Sequence, residues 1–173
     1  MHGWIILDKP LGLSSSQAVG AIKRILRTHG YPKVKIGHGG TLDPLATGVL
    51  PIALGEATKL TGRMLDADKA YDFTVTFGAA TATDDAEGAV VATSDMRPDA
   101  AAICAALPAL TGAIRQRPPA YSALKVDGQR AYALARSGVE VELALRDVTI
   151  HAFDLLTSDG ESATLSVRCS KGT

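Results

Sequence analysis

Gly37-His38-Gly39-Gly40-Thr41-Leu42-Asp43-Pro44-Leu45-Ala46-Thr47-Gly48-Val49-Leu50-Pro51 is the stretch on which the reading of this chain turns. It sets a single carboxylate, Asp43, in a loop flanked by glycines at 37, 39, 40 and 48. Glycine adopts backbone angles closed to other residues and lets a ligand approach the main chain. Pro44 keeps the residue before it out of the helical region. An apolar, strand-like run follows at once. An aspartate before proline in such a loop can simply cap its own turn. Four glycines, two prolines, a histidine and two threonines are more loop chemistry than a turn requires, and the stretch reads as the presentation of one reactive group. A phosphate-cradling P-loop is excluded, because no Lys-Ser/Thr pair opens a helix behind the glycines.

Outward from this loop, the chain reads as short elements in alternation. Gly3 to Leu7 forms a strand that turns at Asp8-Lys9-Pro10-Leu11-Gly12. The serines at 14 to 16 supply a cap for a helix whose Ala18, Val19, Ile22, Ile25 and Leu26 recur at helical spacing. Its outer face carries Lys23, Arg24 and Arg27, and Gly30 ends it. Lys33 to Ile36 leads into the central loop as a strand, and Val49 to Leu54 leads out. Ala57 to Leu65 reads as a helix carrying Lys59. Lys69 to Gly78 alternates, with Tyr71, Phe73, Val75 and Phe77 on one face of a strand.

Further on, Asp84, Asp85 and Glu87 lie in a polar loop that lacks the ligand spacing of a calcium site and reads as a solvated turn. A second amphipathic helix starts at Pro98-Asp99 and closes at Gly112. Two more strands alternate from Arg146 to Leu155 and from Ser162 to Cys169. Strands in hairpin order with a few helices predict an α+β domain whose sheet is mostly antiparallel.

Composition narrows the function. The 173 residues are 46% hydrophobic, enough for a real core. Cys104 and Cys169 stand far apart without CxxC or Cys/His spacing, which gives neither a zinc site nor a disulfide framework and fits a reducing cytoplasm. The amino terminus reads as neither a signal peptide nor a membrane span. Eighteen basic and eighteen acidic residues cancel, but residues 1–69 hold nine Lys/Arg against five Asp/Glu, and residues 115–136 hold five against one. Two basic stretches on an acidic background can act as a directed footprint for a polyanion, although a charge run is usually just a solvated face. The stretch from Ile114 to Gly138 interleaves Arg115, Arg117, Lys125, Arg130 and Arg136 with Tyr121 and Tyr132. That pattern suits gripping phosphates while stacking on bases, although a plain hairpin and helix explain it too. Ser122 and Lys125 have the spacing of a Ser-Lys hydrolase pair, but they follow Pro-Pro-Ala-Tyr and precede Val-Asp-Gly instead of opening a long helix.

Six ordered motifs carry a family resemblance: Asp8-Lys9-Pro10 with Gly12 and Ser14-Ser15; Gly37 to Gly48; Gly55-Glu56-Ala57-Thr58-Lys59; Lys69-x-Tyr71; Gln116-x-Pro118-Pro119-x-Tyr121-Ser122-Ala123-Leu124-Lys125; and Cys169-Ser170-Lys171-Gly172-Thr173. Together they resemble the TruB family of tRNA pseudouridine synthases, from residue 8 to residue 173. The resemblance implies a pseudouridine synthase fold, incomplete at the carboxy terminus, whose activity is isomerisation of the T-loop uridine 55 of tRNA without metal or organic cofactor. It implies Asp43 as the catalytic aspartate. Tyr71 would stack on the target base and assist with protons, and His38 would lie beside the flipped-out nucleotide. Gly39 and Gly40 would leave the backbone open to it, and Lys59 would help position the site. Lys9, Arg117, Tyr121, Lys125 and Arg130 are the RNA contacts it implies, with the T-arm stem-loop as partner and no membrane or protein partner.

In that family the Lys-Gly-Thr motif runs on into Tyr-x-Arg, whose arginine pairs with the aspartate, and then usually into a small RNA-binding domain. Residues 1–173 contain neither. The expectation is a partial catalytic domain with weak turnover or none and an exposed sheet edge; a tRNA-binding or remodelling module without chemistry is the alternative.

Overall fold

The computed structural model describes residues 1–118 and 143–173, together with the backbone of 125–126 and 129–130. The chain forms two compact units, Met1–Ala67 and Asp68–Thr173.

The first unit is a three-stranded antiparallel sheet backed by one long helix. Its strands are β1 (Gly3–Lys9), β2 (Ile36–His38) and β3 (Gly48–Leu54), in the order β1-β3-β2. Trp4 lies opposite Ala53, Lys9 opposite Gly48 and His38 opposite Ile52, so both ends of the central loop are fixed by β3. Helix α1 (Ser15–Thr28) starts where the sequence places it. The Ser14 hydroxyl accepts from the Gln17 N–H at 3.2 Å, and the Gln17 side chain accepts from the Ser14 N–H at 2.8 Å. This reciprocal box satisfies two of the backbone donors that every helix start leaves open. The helix stops at Gly30, whose φ of +74° suits glycine, while the Tyr31 N–H returns to the Leu26 carbonyl.

Ala18 and Val19 of α1 pack with Leu50 and Ile52 of β3, and Ile5, Leu7, Leu13, Ile22, Ile36 and Leu42 close around them. Leu50 and Ile52 are wholly buried, each a side chain whose burial stabilises by about 1.5–3 kcal/mol. Ile25, placed in the apolar stripe by its spacing, is exposed instead. The outer face of α1 has two features that cost stability. Lys23 and Arg27 are like charges one turn apart, worth about 0.2–0.5 kcal/mol against the helix. Gly20, in the helix interior, costs about 1 kcal/mol relative to alanine.

The predicted helix over Ala57–Leu65 is split into a 3-10 segment, Gly55–Leu60, and the short helix α2, Thr61–Asp66. Threonine hydroxyls bond back three residues here, Thr58 to the Gly55 carbonyl and Thr61 to the Thr58 carbonyl, which favours the tighter turn. The strand expected at Lys33 starts only at Ile36, so the central loop opens directly from β2.

The second unit is built on a four-stranded antiparallel sheet, order β4-β11-β10-β7, from β4 (Lys69–Thr76), β7 (Gly112–Gln116), β10 (Arg146–Ser158) and β11 (Ser162–Cys169). Tyr71 lies opposite Val167, and Val148, Ile150, Ala163, Leu165 and Cys169 supply buried side chains. Two small hairpins join it: β5 (Ala79–Thr81) with β6 (Val90–Thr93), and β8 (Lys125–Val126) with β9 (Gln129–Arg130). Helix α3 (Ala100–Ala106) is capped by the Asp99 carboxylate, which accepts from the Ala102 N–H at 2.7 Å. β6 and β7 were not evident from the sequence, because Gly112 reads as a helix terminator; with φ +93° it turns the chain directly into β7. The acidic loop is a solvated turn as expected. Asp85 accepts from the Thr83 hydroxyl and from the Glu87 and Gly88 N–H groups, which together hold its carboxyl below the usual range.

Candidate active site

Asp43 lies in a loop whose backbone is fixed on both sides of it. The Ser15 hydroxyl donates to the Leu42 carbonyl at 3.0 Å and accepts from the Leu42 N–H at 2.9 Å, so one side chain holds both polar groups of the residue before Asp43. The Gly12 N–H donates to the Pro44 carbonyl at 2.8 Å, which holds the residue after it. Within the loop, the Ala46 N–H closes a turn onto the Asp43 carbonyl at 3.0 Å. Ser15 is 2% exposed, so water does not compete for these bonds. The Asp43 side chain itself is exposed and has no hydrogen-bond or ionic partner among the described residues. This is a carboxylate on a rigid mount with its acceptor sites open.

Sequence reasoning assigned the serine run to helix capping and missed the second task. One serine caps a helix, and Ser14 does so, which leaves its neighbour without a task in the sequence but does not say what it bonds.

His38 ends β2, half-buried, with Nδ1 on the Gly40 carbonyl. A carbonyl only accepts, so Nδ1 carries the hydrogen and Nε2 is the ring nitrogen left without a partner among the described residues. The two glycines that follow have different surroundings. Gly39 is buried, its N–H donates to the Pro51 carbonyl at 2.8 Å, and a Cβ on it would lie 2.7 Å from Met64 Cβ. A Cβ on Gly40 would meet nothing within 4 Å. Openness to a ligand, expected of both, therefore belongs to Gly40, while Gly39 is required by packing.

Lys59 is an exposed side chain paired with Glu56 at 2.5 Å. An exposed pair of this kind adds little stability and is readily exchanged for another anion. Lys9, expected to touch RNA, is 0% exposed. Its ammonium donates to the Pro10 carbonyl at 3.0 Å and to the Leu13 carbonyl at 2.6 Å, locking the turn that delivers Gly12 and Ser15 to the loop. A basic residue in a turn looks like a surface charge in sequence; here the carbonyls of that same turn fold over it.

In the second unit, Tyr71 is 43% exposed on edge strand β4, and Phe73 and Val75 on the same face are each 39% exposed. This face is a half-open apolar surface, not a closed core, with Phe73 tilted against Phe153 at a centroid distance of 6.2 Å. Burial first, and then the nearby Cys169, raise the Tyr71 pKa above its ordinary value of 10.0. The phenol is therefore protonated at neutral pH. Gln116 and Gly172, from two different motifs, come together at Arg146. Nε and Nη2 of Arg146 donate to Gln116 Oε1 at 2.9 and 2.7 Å, and burial lowers the arginine pKa. The Gln116–Arg146 bonds join β7 to β10.

Arg117 is exposed just past β7. Tyr121 and Ser122 lie outside the described residues, as do the side chains of Lys125 and Arg130, whose backbone forms the β8–β9 hairpin. Among the described residues no group of His, Cys, Asp and Glu has the makings of a metal site, and no helix is long and apolar enough to cross a membrane.

Comparison with known proteins gives a consistent answer. Residues 23–173 match the family model for TruB family pseudouridylate synthase, N-terminal domain. The whole chain is 62% identical to tRNA pseudouridine synthase B of Novosphingobium aromaticivorans, covering 59% of that protein, and 54% identical to that of Zymomonas mobilis, covering 57%. The chain thus spans a little over half the length of the curated relatives it matches. Among solved structures it resembles a chain of a Cbf5-Nop10-Gar1 complex at a TM-score of 0.70 and 31% identity, over 99% of this chain and 40% of that one. It also resembles a chain of an H/ACA RNP bound to a substrate RNA containing 2'-deoxyuridine, at 0.67 and 27%, over 99% and 38%. With the matched region taking in the Asp43 loop, β4 and the closing Lys-Gly-Thr, the chain belongs to the TruB family of pseudouridine synthases.

Proposed function

We propose that this chain carries the uridine-isomerising site of a tRNA pseudouridine synthase, acting on T-loop uridine 55 with Asp43 as the catalytic carboxylate. One observation supports it above the rest: the backbone is bonded at Leu42 and Pro44, while the carboxylate between them has no partner among the described residues. A turn-capping aspartate would show the reverse, with its side chain bonded to its own turn.

The reaction breaks N1–C1′ and makes C5–C1′; C5 gives up a proton and N1 gains one, so the product is an isomer. A carboxylate serves this either by attacking as a nucleophile or by removing a sugar proton so that a glycal forms. Both routes need an open carboxylate oxygen held in place. The target base must leave its stack, at a cost of a few kcal/mol. In this reading Tyr71 offers the ring on which the base restacks, returning about 1–3 kcal/mol, and its protonated hydroxyl can donate. Gly40 leaves room for the nucleotide backbone, and His38 presents Nε2 beside it. RNA read by shape and unpaired bases suits such a site better than groove reading.

The test is to incubate the chain with a tRNA transcript and map pseudouridine. The expected product is at uridine 55 alone, absent with Asp43→Asn, whose tRNA affinity stays near that of the wild type. Product at other positions would refute the substrate assignment, and product from Asp43→Asn would refute the residue.

A further inference from the structure

Between Lys9 and Leu42 there is no Asp or Glu, while Lys23, Arg24, Arg27, Lys33 and Lys35 fall within that span, all five exposed. Three of them share α1. At 3.6 residues per turn, Lys23, Arg24 and Arg27 occupy an arc of about 100°, away from the side that buries Ala18, Val19 and Ile22. None of the three guanidinium or ammonium groups has an ionic partner among the described residues. Arg27, in the last turn, gains from the helix dipole. That does not account for Lys23 and Arg24, or for stacking like charges one turn apart.

Gly20 is the second observation. It lies in the same arc, exposed, one turn before Lys23 and Arg24, and a Cβ there would meet nothing within 4 Å. No packing among the described residues calls for a glycine, and its φ is not in the left-handed region. A helix interior that gives up a better helix former without internal need makes sense where another backbone comes close. Ser16, one turn earlier, keeps the strip low as well.

We infer that the Ser16–Gly20–Lys23–Arg24–Arg27 face of α1 is a docking strip for an RNA phosphate backbone, gripping it without reading sequence. It rests on the proposal that the chain acts on RNA. The helix starts at Ser15, which clamps the Asp43 loop, so the cations stand about 12–18 Å along the axis from that contact. A stem bound along the strip would be anchored through the element that holds the catalytic loop.

The test is binding of the full chain to a T-arm stem-loop and to an unrelated hairpin of equal length, over a range of salt. For the wild type, log affinity should fall steeply with log salt for both RNAs. The variant Lys23→Gln/Arg24→Gln/Arg27→Gln should lose about 2–3 units of that slope, and about tenfold or more in low-salt affinity for both hairpins alike. Its melting temperature should not fall, since like charges are removed. Gly20→Ala should melt higher and yet bind several-fold more weakly, an opposition that a purely structural glycine would not produce. A triple variant with the wild-type slope, a Gly20→Ala with unchanged affinity, or a wild type that does not bind RNA would each overturn the strip. So would substitutions that abolish binding to phosphatidylserine vesicles and leave RNA untouched. Turnover measured in parallel separates the two proposals: loss of the Asp43 assignment leaves the slopes standing, and unchanged slopes beside Asp43-dependent product sink the strip alone.

Discussion

The loop that carries Asp43 and the strand that carries Tyr71 put their side chains in the open by opposite means. At Asp43 the main chain is bonded on either side, by Ser15 to Leu42 and by Gly12 to Pro44, and beneath it lies the closed core of Leu50 and Ile52. At Tyr71 the chain is an edge strand, paired among the described residues with β11 alone, and the ring shares a half-exposed apolar face with Phe73 and Val75. The first arrangement fixes the backbone from which a carboxylate reaches out; the second offers a surface. Chemistry that makes and breaks bonds at one sugar carbon needs the former, because a displacement of about 1 Å costs on the order of 10²-fold in rate. Stacking on a flat base needs only area, and tolerates the latter.

The contrast can be broken most severely at Ser15. Ser15→Ala leaves the Leu42 N–H and carbonyl without their partner, at a cost of about 1–3 kcal/mol, and should lower turnover by about 10²-fold with RNA affinity nearly unchanged. Exchange of the Leu42 amide hydrogen should accelerate in the same variant; protection equal to the wild type would show that the clamp is not what holds the loop.

Lys9 comes next. Lys9→Met removes the donor from the Pro10 and Leu13 carbonyls, and about 1–3 kcal/mol of stability should go with it. The salt dependence of RNA binding should not move, because the ammonium is not at the surface. A shallower salt slope would return Lys9 to the RNA contacts.

The paired glycines sharpen the picture of the loop itself. Gly39→Ala drives a Cβ to 2.7 Å from Met64 Cβ, and overpacking of this kind costs about 1–3 kcal/mol. Gly40→Ala should leave the melting temperature alone and weaken RNA binding or turnover instead. Equal melting temperatures for the two variants would remove the distinction.

The smallest effect belongs to Tyr71. Burial and Cys169 raise its folded pKa, so folding favours the protonated phenol. The stability this gives is complete below the ordinary tyrosine value and is lost as pH rises through the higher folded one. Denaturant titrations from about pH 9 to about pH 11 should show the wild type losing stability more steeply than Tyr71→Phe. Parallel curves would mean the ring is solvated as in the unfolded chain.

Much of this was legible in the residues. The serine cap of α1, its end at Gly30, β3, β4 and β11 all follow from local signals, capping chemistry or a clean alternation, that act within a few residues. What was not legible came from how the chain folds back on itself, from partners far along it or within a single turn. Ser15 and Leu42 are separated by 27 positions, and nothing near either announces the other. Lys9 reads as a surface charge until two carbonyls of its own turn close over the ammonium. Gly39 looks like Gly40 until Met64 arrives against it. β7 was hidden because a glycine with positive φ ends helices and opens strands equally well, and β6 because its four exposed residues carry no burial pattern. Of the candidate residues, Asp43 stands out by its loop and Tyr71 by the family resemblance, whereas the groups that hold the Asp43 loop do not stand out in the sequence.

The most direct test of a fixed, open carboxylate is the single-turnover rate of pseudouridine formation in a T-arm stem-loop, for the wild-type chain beside Asp43→Asn and Asp43→Glu. Because the backbone is pinned, a carboxylate moved by one methylene should serve hardly better than the amide, with both variants down by about 10²-fold or more and both still binding RNA. A glutamate variant as fast as the wild type, or an asparagine variant that still makes product at its rate, would contradict the account.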